Sequence, residues 1–425
     1  MLRRPWLVFH RYAGLFMAVW LVLIGVTGSI IVFNPELQAW LDPPPPIVER
    51  AGLELDPATL RQRAQFLAPQ AAFNSLVLQR KRGEPATVLA EPRTDPLTGE
   101  PHELGFSALY LDPYSGDEVG RQVPQDNLWP ITSHNVVTLI NRLHYQLAIP
   151  GSFGTYLFGI VALLWTVDCF VGAYLTFPLR VRREASAPGS DGRSIGQWLG
   201  KWWNPAWLVR WRASAYRINV DLHRAGGLWL WAMLLALAWS SVGFNLPAQI
   251  YMPVMRTLFA MPDPYGDALP VLDKPQAEPP LAWGAALATA RRLAGEQAAA
   301  EGFRVLEESF LLYMPDKGMY LYIARTDRDP WDQDGATTLV FDGSGAVRSL
   351  FVPTGSNAGS TLHTWIFALH MAKVWGMPFR IFVALVGLVV ALLSLTGIYI
   401  WWKKRRARRW DHSIATRPDL DGGAG

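Results

Sequence analysis

The stretch LHMAKVWGMPFRIFVALVGLVVALLSLTGIYIWWKKRRARRW, from Leu369 to Trp410, decides the architecture. Phe382 to Trp402 is 21 residues without a charge. At about 1.5 Å per residue this makes roughly 30 Å of helix, enough to cross the hydrocarbon core of a bilayer. Trp401 and Trp402 stand at the polar boundary, and six Lys and Arg residues lie between Lys403 and Arg409. Such a boundary predicts that this end faces the cytoplasm. His370 then falls near the opposite face. Three other long apolar runs repeat the design, each with a histidine close to its start.

The whole composition agrees. The 425 residues are 50% hydrophobic and only 17% charged, with 20 Trp. A soluble chain of this length carries more charge. The fold class expected is an integral membrane α-helical protein with four transmembrane helices and two small periplasmic α+β modules. The net charge of +4 is not a nucleic-acid signal, because the basic residues flank the spans. The one cysteine, Cys169, excludes an intrachain disulfide framework and a Cys-ligated iron–sulfur cluster within one chain. No small-residue cleavage site follows the first span, which therefore reads as an anchor.

In chain order, residues 1–35 hold a cytoplasmic start and the first span, with His10 beside Arg11 at its inner end. Interfacial snorkelling is the bland reading of His10 alone. Residues 36–134 form the first outer module, and the outer stretch 36–140 carries 8 basic and 14 acidic residues. Residues 135–179 hold the second span, with His134 and His144 upstream and Pro150 and Gly151 as possible interruptions. Asp168 lies within that span, where a carboxylate is costly unless it faces the bundle and finds a partner. A structural bond to a neighbouring helix is favoured over a proton or cofactor contact.

Residues 180–220 are a Trp- and Arg-rich inner segment, expected along the membrane surface. Residues 221–255 hold the third span, a helix from about Ala225 to Leu246. HRYAGL at His10 and HRAGGL at His223 are near-copies. This internal repeat gives spans one and three matching roles. Residues 256–362 form the second outer module, with 9 basic and 14 acidic residues. Within it, Asp327, Asp329, Asp332 and Asp334 precede Gly335. Oxygen ligands at such spacing suit calcium, but the loop departs from the helix–loop–helix consensus and reads better as a solvated turn. Residues 363–402 hold His363, His370 and the fourth span, and 403–425 a basic cytoplasmic tail.

The topology sorts the histidines. His10 and His223 begin the outward-running spans near the cytoplasmic face. His144 and His370 begin the inward-running spans near the outer face. Four helices can thus offer two histidine pairs, one per leaflet, as axial ligands for two b-type haems. His134 and His363 are alternates at the outer site. Gly14, Gly226 and Gly376 suit a flat ring against helix backbone, or simply close helix packing. Nothing supplies a tetrahedral zinc set, and the lack of Cys-x-x-Cys-His excludes thioether-attached haem.

HRYAGL with GVTGSIIVF, RLHYQL before the second span, LHRAGGL at the third and the ending LTGIYIWWKKRR together resemble the PepSY-associated transmembrane family. The resemblance covers all four spans. It implies periplasmic PepSY-like modules and b-type haems. It also implies an inner-membrane reductase of the ferric-siderophore type, with His10, His144, His223 and His370 as membrane ligands. The second span departs from the pattern: Trp165, Thr166, Val167 and Asp168 stand where a Thr-Gly is usual.

The expected function is haem-dependent electron transfer to a periplasmic acceptor such as a ferric siderophore. No Gly-x-Gly-x-x-Gly site is present, so quinol or a cytoplasmic reductase must donate the electrons. The alternative is a non-enzymatic, membrane-anchored binding or regulatory protein. A transporter is harder to draw, since four spans with few internal charges offer little solute path.

Overall fold

The computed structural model describes residues 3–95, 97–125, 127–177 and 203–415. Much of the Trp-rich inner segment (178–202) and the end of the basic tail (416–425) lie outside the described residues. The helices are α1 (Arg3–Ile31), α2 (Asn34–Leu41), α3 (Pro57–Leu67), α4 (Val136–Gln146), α5 (Phe153–Thr176), α6 (Ala215–Trp229), α7 (Trp231–Asn245), α8 (Met252–Leu258), α9 (Trp283–Glu301), α10 (Ala358–His370) and α11 (Gly376–Ala415). The strands are β1 (Ala71–Ala72), β2 (Ser75–Val77), β3 (Ala86–Leu89), β4 (Glu91–Pro92), β5 (Ala108–Leu111), β6 (Glu118–Gln122), β7 (Val305–Met314), β8 (Met319–Thr326), β9 (Thr337–Asp342) and β10 (Val347–Phe351). Two compact units emerge. One is helical (1–32, 141–250 and 381–425), and the other holds both outer segments (33–140 and 251–380).

In the helical unit, α1, α5 and α11 are each long and apolar enough to cross a membrane, and α6 with α7 forms a bent pair of the same character. The chain is a multi-pass membrane protein. Its helices bury Met17, Leu21, Val161, Leu234, Ala238, Val386 and Val390 against one another. Helices α1 and α11 cross at backbone contact. A Cβ on Gly25 would stand 2.5 Å from the Gly387 carbonyl oxygen. Ser29 Oγ donates to Ala384 O at 2.7 Å across the same crossing. Small residues and an interhelical hydroxyl bond replace hydrophobic driving force in such packing. Gly387→Leu is therefore expected to lower the thermal midpoint of the detergent-purified protein strongly, since neither backbone can yield. An unchanged melt would disprove the crossing.

The stretch expected as the third span is two helices rather than one continuous helix. Helices α6 and α7 meet at 70°. Gly226 and Gly227 weaken the helix just before Leu230. The tryptophans on either side are then tied in different directions, Trp229 Nε1 to Trp207 O at 3.1 Å and Trp231 Nε1 to Cys169 O at 2.9 Å. Ahead of the bend, Asp221 is fully buried on α6 and binds Arg210 at 2.8 Å and Arg224 at 3.1 Å. Arg224 also donates to Ala206 O, which fastens the inner segment to the helix.

His144 and His370 do not begin spans. They lie at the ends of the short helices α4 and α10. Leu147 and Ala148 at positive φ break the chain after α4, and Ala372, Trp375 and Gly376 do so after α10. The first turn of α5 then packs on the end of α4 so closely that a Cβ on Gly154 would overlap Gln146 O, 1.9 Å away.

The outer segments also depart from expectation. They are not two separate modules, because β2 of the first pairs antiparallel with β7 of the second, Ser75 opposite Leu312. The resulting five-stranded sheet has the order β10-β9-β8-β7-β2. Helix α9 covers it, burying Trp283, Leu287, Ala290 and Leu293 against Leu76, Leu311, Tyr320 and Phe341. Gly302 ends α9 in the left-handed conformation that favours glycine. The three-stranded sheet β3-β5-β6 packs with α3 around Phe73, Leu109 and Leu111.

The aspartate loop is a solvated turn, with Asp327 and Asp332 exposed, that also acts as a clasp. Half-buried Asp329 accepts from Thr326 N (2.8 Å), Thr326 Oγ1 and Thr337 Oγ1 (each 2.9 Å). Asp332 accepts from Gly376 N at 2.7 Å, Asp334 binds Lys373 at 3.3 Å and Asp327 binds Arg304 at 3.2 Å. The loop thereby secures the break that precedes α11.

Candidate functional site

His10 on α1 and His223 on α6 come together, with ring centroids 6.1 Å apart and planes at 60°. His10 Nδ1 bonds Asp168 Oδ1 at 2.8 Å, which gives the carboxylate in α5 its partner. His223 Nδ1 lies 3.0 Å from both Leu393 O and Thr396 Oγ1 on α11. A carbonyl only accepts, so His223 donates through Nδ1–H, and in the neutral ring Nε2 keeps its lone pair. Hydrogen bonding at Nδ1 makes the same assignment for neutral His10.

Both rings line a cavity of about 370 Å³. Its walls are largely apolar, with Met17, Leu21, Trp165, Trp231, Val390 and Leu393 among them. Arg11, Arg224 and Lys404 also border it. Gly14 and Gly227 line it with nothing within 4 Å of where a Cβ would stand. Gly172 and Gly397 stand behind the imidazoles, where a Cβ would come 3.7 Å from His10 Cε1 and 3.3 Å from His223 Cε1.

Metal–imidazole bonds are about 2 Å long, so two rings on opposite sides of one ion have centroids about 6 Å apart. The observed separation fits that arrangement. Two neutral imidazoles, fixed by outer partners and facing an apolar cavity with open glycine walls, suit a flat macrocycle held through its iron. Among the described residues no group of three or more His, Cys, Asp or Glu side chains could hold a metal ion.

The other histidines occupy different surroundings. His144 belongs to the helical unit, where its Nδ1 lies 3.1 Å from Thr27 Oγ1 on α1. A Cβ on Gly28 would stand 2.9 Å from His144 Cε1. His370 is the last residue of α10, in the outer unit. His134 bonds Asp42 at 2.6 Å at the surface of that unit. His363, also in the outer unit, takes a hydrogen bond between its Nδ1 and Tyr251 OH at 3.1 Å and packs on Phe351 and Phe367.

A recurring seat emerges that the sequence reading passed over. In GVTGS, Thr27 meets a histidine Nδ1 and Gly28 makes room for the ring. In LTGIY, Thr396 and Gly397 do the same for His223. Each hydroxyl spends its proton on its own helix, Thr27 on Leu23 O at 2.8 Å and Thr396 on Leu393 O at 2.7 Å. Its lone pairs are thereby left to accept the imidazole N–H. The dipeptide was visible in both quoted motifs, but only the fold shows what it receives. Span two lacks it, and there Asp168 and Gly172 serve His10.

Burial pushes the His363 imidazole down to about 4 from an ordinary value near 6.5. Between these values the unfolded chain binds more protons than the folded one, so stability falls as pH drops from about 6.5 to 4. At about 1.4 kcal/mol per unit, the loss is on the order of 3 kcal/mol. His363→Gln should flatten that part of the melting-temperature profile. An equally steep profile in the variant would assign the acid sensitivity elsewhere.

A family model for the PepSY-associated TM region matches residues 7–404. No curated protein matches the chain. The match spans the histidine pair, both Thr-Gly seats and every long apolar helix, and the chain belongs to the PepSY-associated transmembrane family.

Proposed function

We propose that this protein is a b-haem-dependent oxidoreductase of the bacterial inner membrane. It carries electrons outward to a periplasmic acceptor, with ferric iron in a siderophore as the substrate class. The observation that carries this reading is the His10–His223 pair: two imidazoles at coordinating separation, both held through Nδ1, on one apolar cavity. Haem iron supplies reversible one-electron transfer, which matches the conversion of Fe(III) to Fe(II). His10 and His223 hold the iron. Asp168, Thr396 and Leu393 O fix ring orientation and tautomer, the glycines leave room for the ring plane, and the apolar walls exclude water. His144 and His370 are proposed to serve a second haem near the outer face, with His134 and His363 as alternates. Quinol or a cytoplasmic reductase supplies the electrons.

We read four spans with both termini cytoplasmic, and the β2–β7 pairing supports this. The paired strands must lie on one side of the membrane, so an even number of crossings separates them. Helix α5 accounts for one crossing, and the bent α6–α7 pair for the other. The basic excess at the inner segments agrees. Ferrous iron is held less tightly by hard oxygen ligands, so reduction releases it from the chelate.

Oxidised-minus-reduced spectra of the purified protein test the cofactor. Adding ferric siderophore to the reduced protein without oxygen, with a ferrous trap present, tests the acceptor. The expected result is a low-spin b-type spectrum and haem reoxidation that keeps pace with trapped Fe(II). A protein without haem bands refutes the reading. Haem that fails to reoxidise removes this acceptor class.

A further inference from the structure

Resting on that reading, we infer that Asp168 lowers the midpoint potential of the haem held by His10 and His223. His223 donates to a carbonyl and a hydroxyl, both neutral. His10 instead is bonded to a carboxylate, at 2.8 Å. Among the described residues His10 is the one side chain hydrogen-bonded to Asp168.

A carboxylate on Nδ1–H raises the basicity of Nε2. The more basic ligand favours the ferric state, which carries one more positive charge than the ferrous. The ferric form is thus stabilised selectively and the midpoint potential falls. The apolar walls around the site strengthen the effect, because little solvent screens the charge.

Asp168→Asn and Asp168→Glu, made in the full chain and titrated spectroelectrochemically, test the inference. Asp168→Asn keeps a hydrogen-bond acceptor for the ring and removes the charge. It should weaken the preference for the ferric over the ferrous state about tenfold, an upward shift of about 59 mV for one electron. Asp168→Glu should keep the low midpoint. The affected haem should be the one missing from His223→Ala. Wild type offers a second measurement if Asp168→Asn does not accumulate. The near-infrared charge-transfer band of its ferric form should lie at higher energy than for a haem whose ligands bond only neutral acceptors. A normal low-spin spectrum with an unmoved midpoint in Asp168→Asn, or an unshifted band in wild type, overturns the inference and leaves the haem reading standing. Wild type without haem overturns both.

Discussion

His223→Ala is expected to strip the proposed haem from the His10 site while leaving the helical bundle folded. The proposed iron would lose one of its two protein ligands, and among the described residues no group of three or more His, Cys, Asp or Glu side chains could hold a metal ion in its place. Occupancy of that site should fall well over tenfold, the lower end of what even outer-shell losses produce at metal sites. The fold should tolerate the change because Thr396 already donates to Leu393 O at 2.7 Å, so truncation leaves no stranded donor. A cost of about 1 kcal/mol for the lost hydrogen bond is the scale expected. His10→Ala is the harsher variant, since it leaves Asp168 without its hydrogen-bond partner in an apolar helix, and an unmet acceptor there costs on the order of 1–3 kcal/mol. Haem per protein by pyridine haemochromogen, read beside a melting curve, separates the two effects. Full low-spin haem content in His223→Ala would refute the ligand assignment.

Gly227→Leu should produce the same haem loss by a steric route. Nothing lies within 4 Å of its Cβ position, and the residue lines the cavity. A leucine there projects into the space the macrocycle needs, and both ligands stay in place. Replacing glycine in a helix gains up to about 1 kcal/mol of propensity, so the apoprotein should be at least as stable as before. Expected are a more than tenfold loss of haem and an unchanged or raised apoprotein midpoint. Normal haem content would mean that the ring occupies some other part of the cavity.

The spans were legible because hydropathy along the chain is a local property: α1, α5 and α11 fall where the apolar runs predict. His10 and His223 were legible as a pair because their flanking hexapeptides repeat. The partner of Asp168 was not, since nothing near residue 168 names a histidine 158 positions earlier. The bend at Leu230 was hidden for a similar reason. Two glycines permit it, but Trp207 and Cys169, distant in sequence, impose it. The break after His144 was legible in Pro150 and Gly151, and Gly151 does take a positive φ there, with Leu147 and Ala148 beside it. Two outer modules seemed natural because each segment has its own strand and turn signals, which carry no information about β2 reaching across to β7.

That strand exchange sets the order in which the protein can be made. Ser75 and its partner Leu312 are separated by most of the polypeptide, including every residue of α5, α6 and α7. When the ribosome has delivered the first outer segment, β2 has no neighbour of its own sheet to join. It must wait until α5, α6 and α7 have been made and β7 has followed them. Such distant pairing closes slowly and leaves apolar strand residues unprotected in the interval. A truncated chain ending after α5 should accordingly be a substrate for cellular quality control, even with its apolar helices correctly inserted.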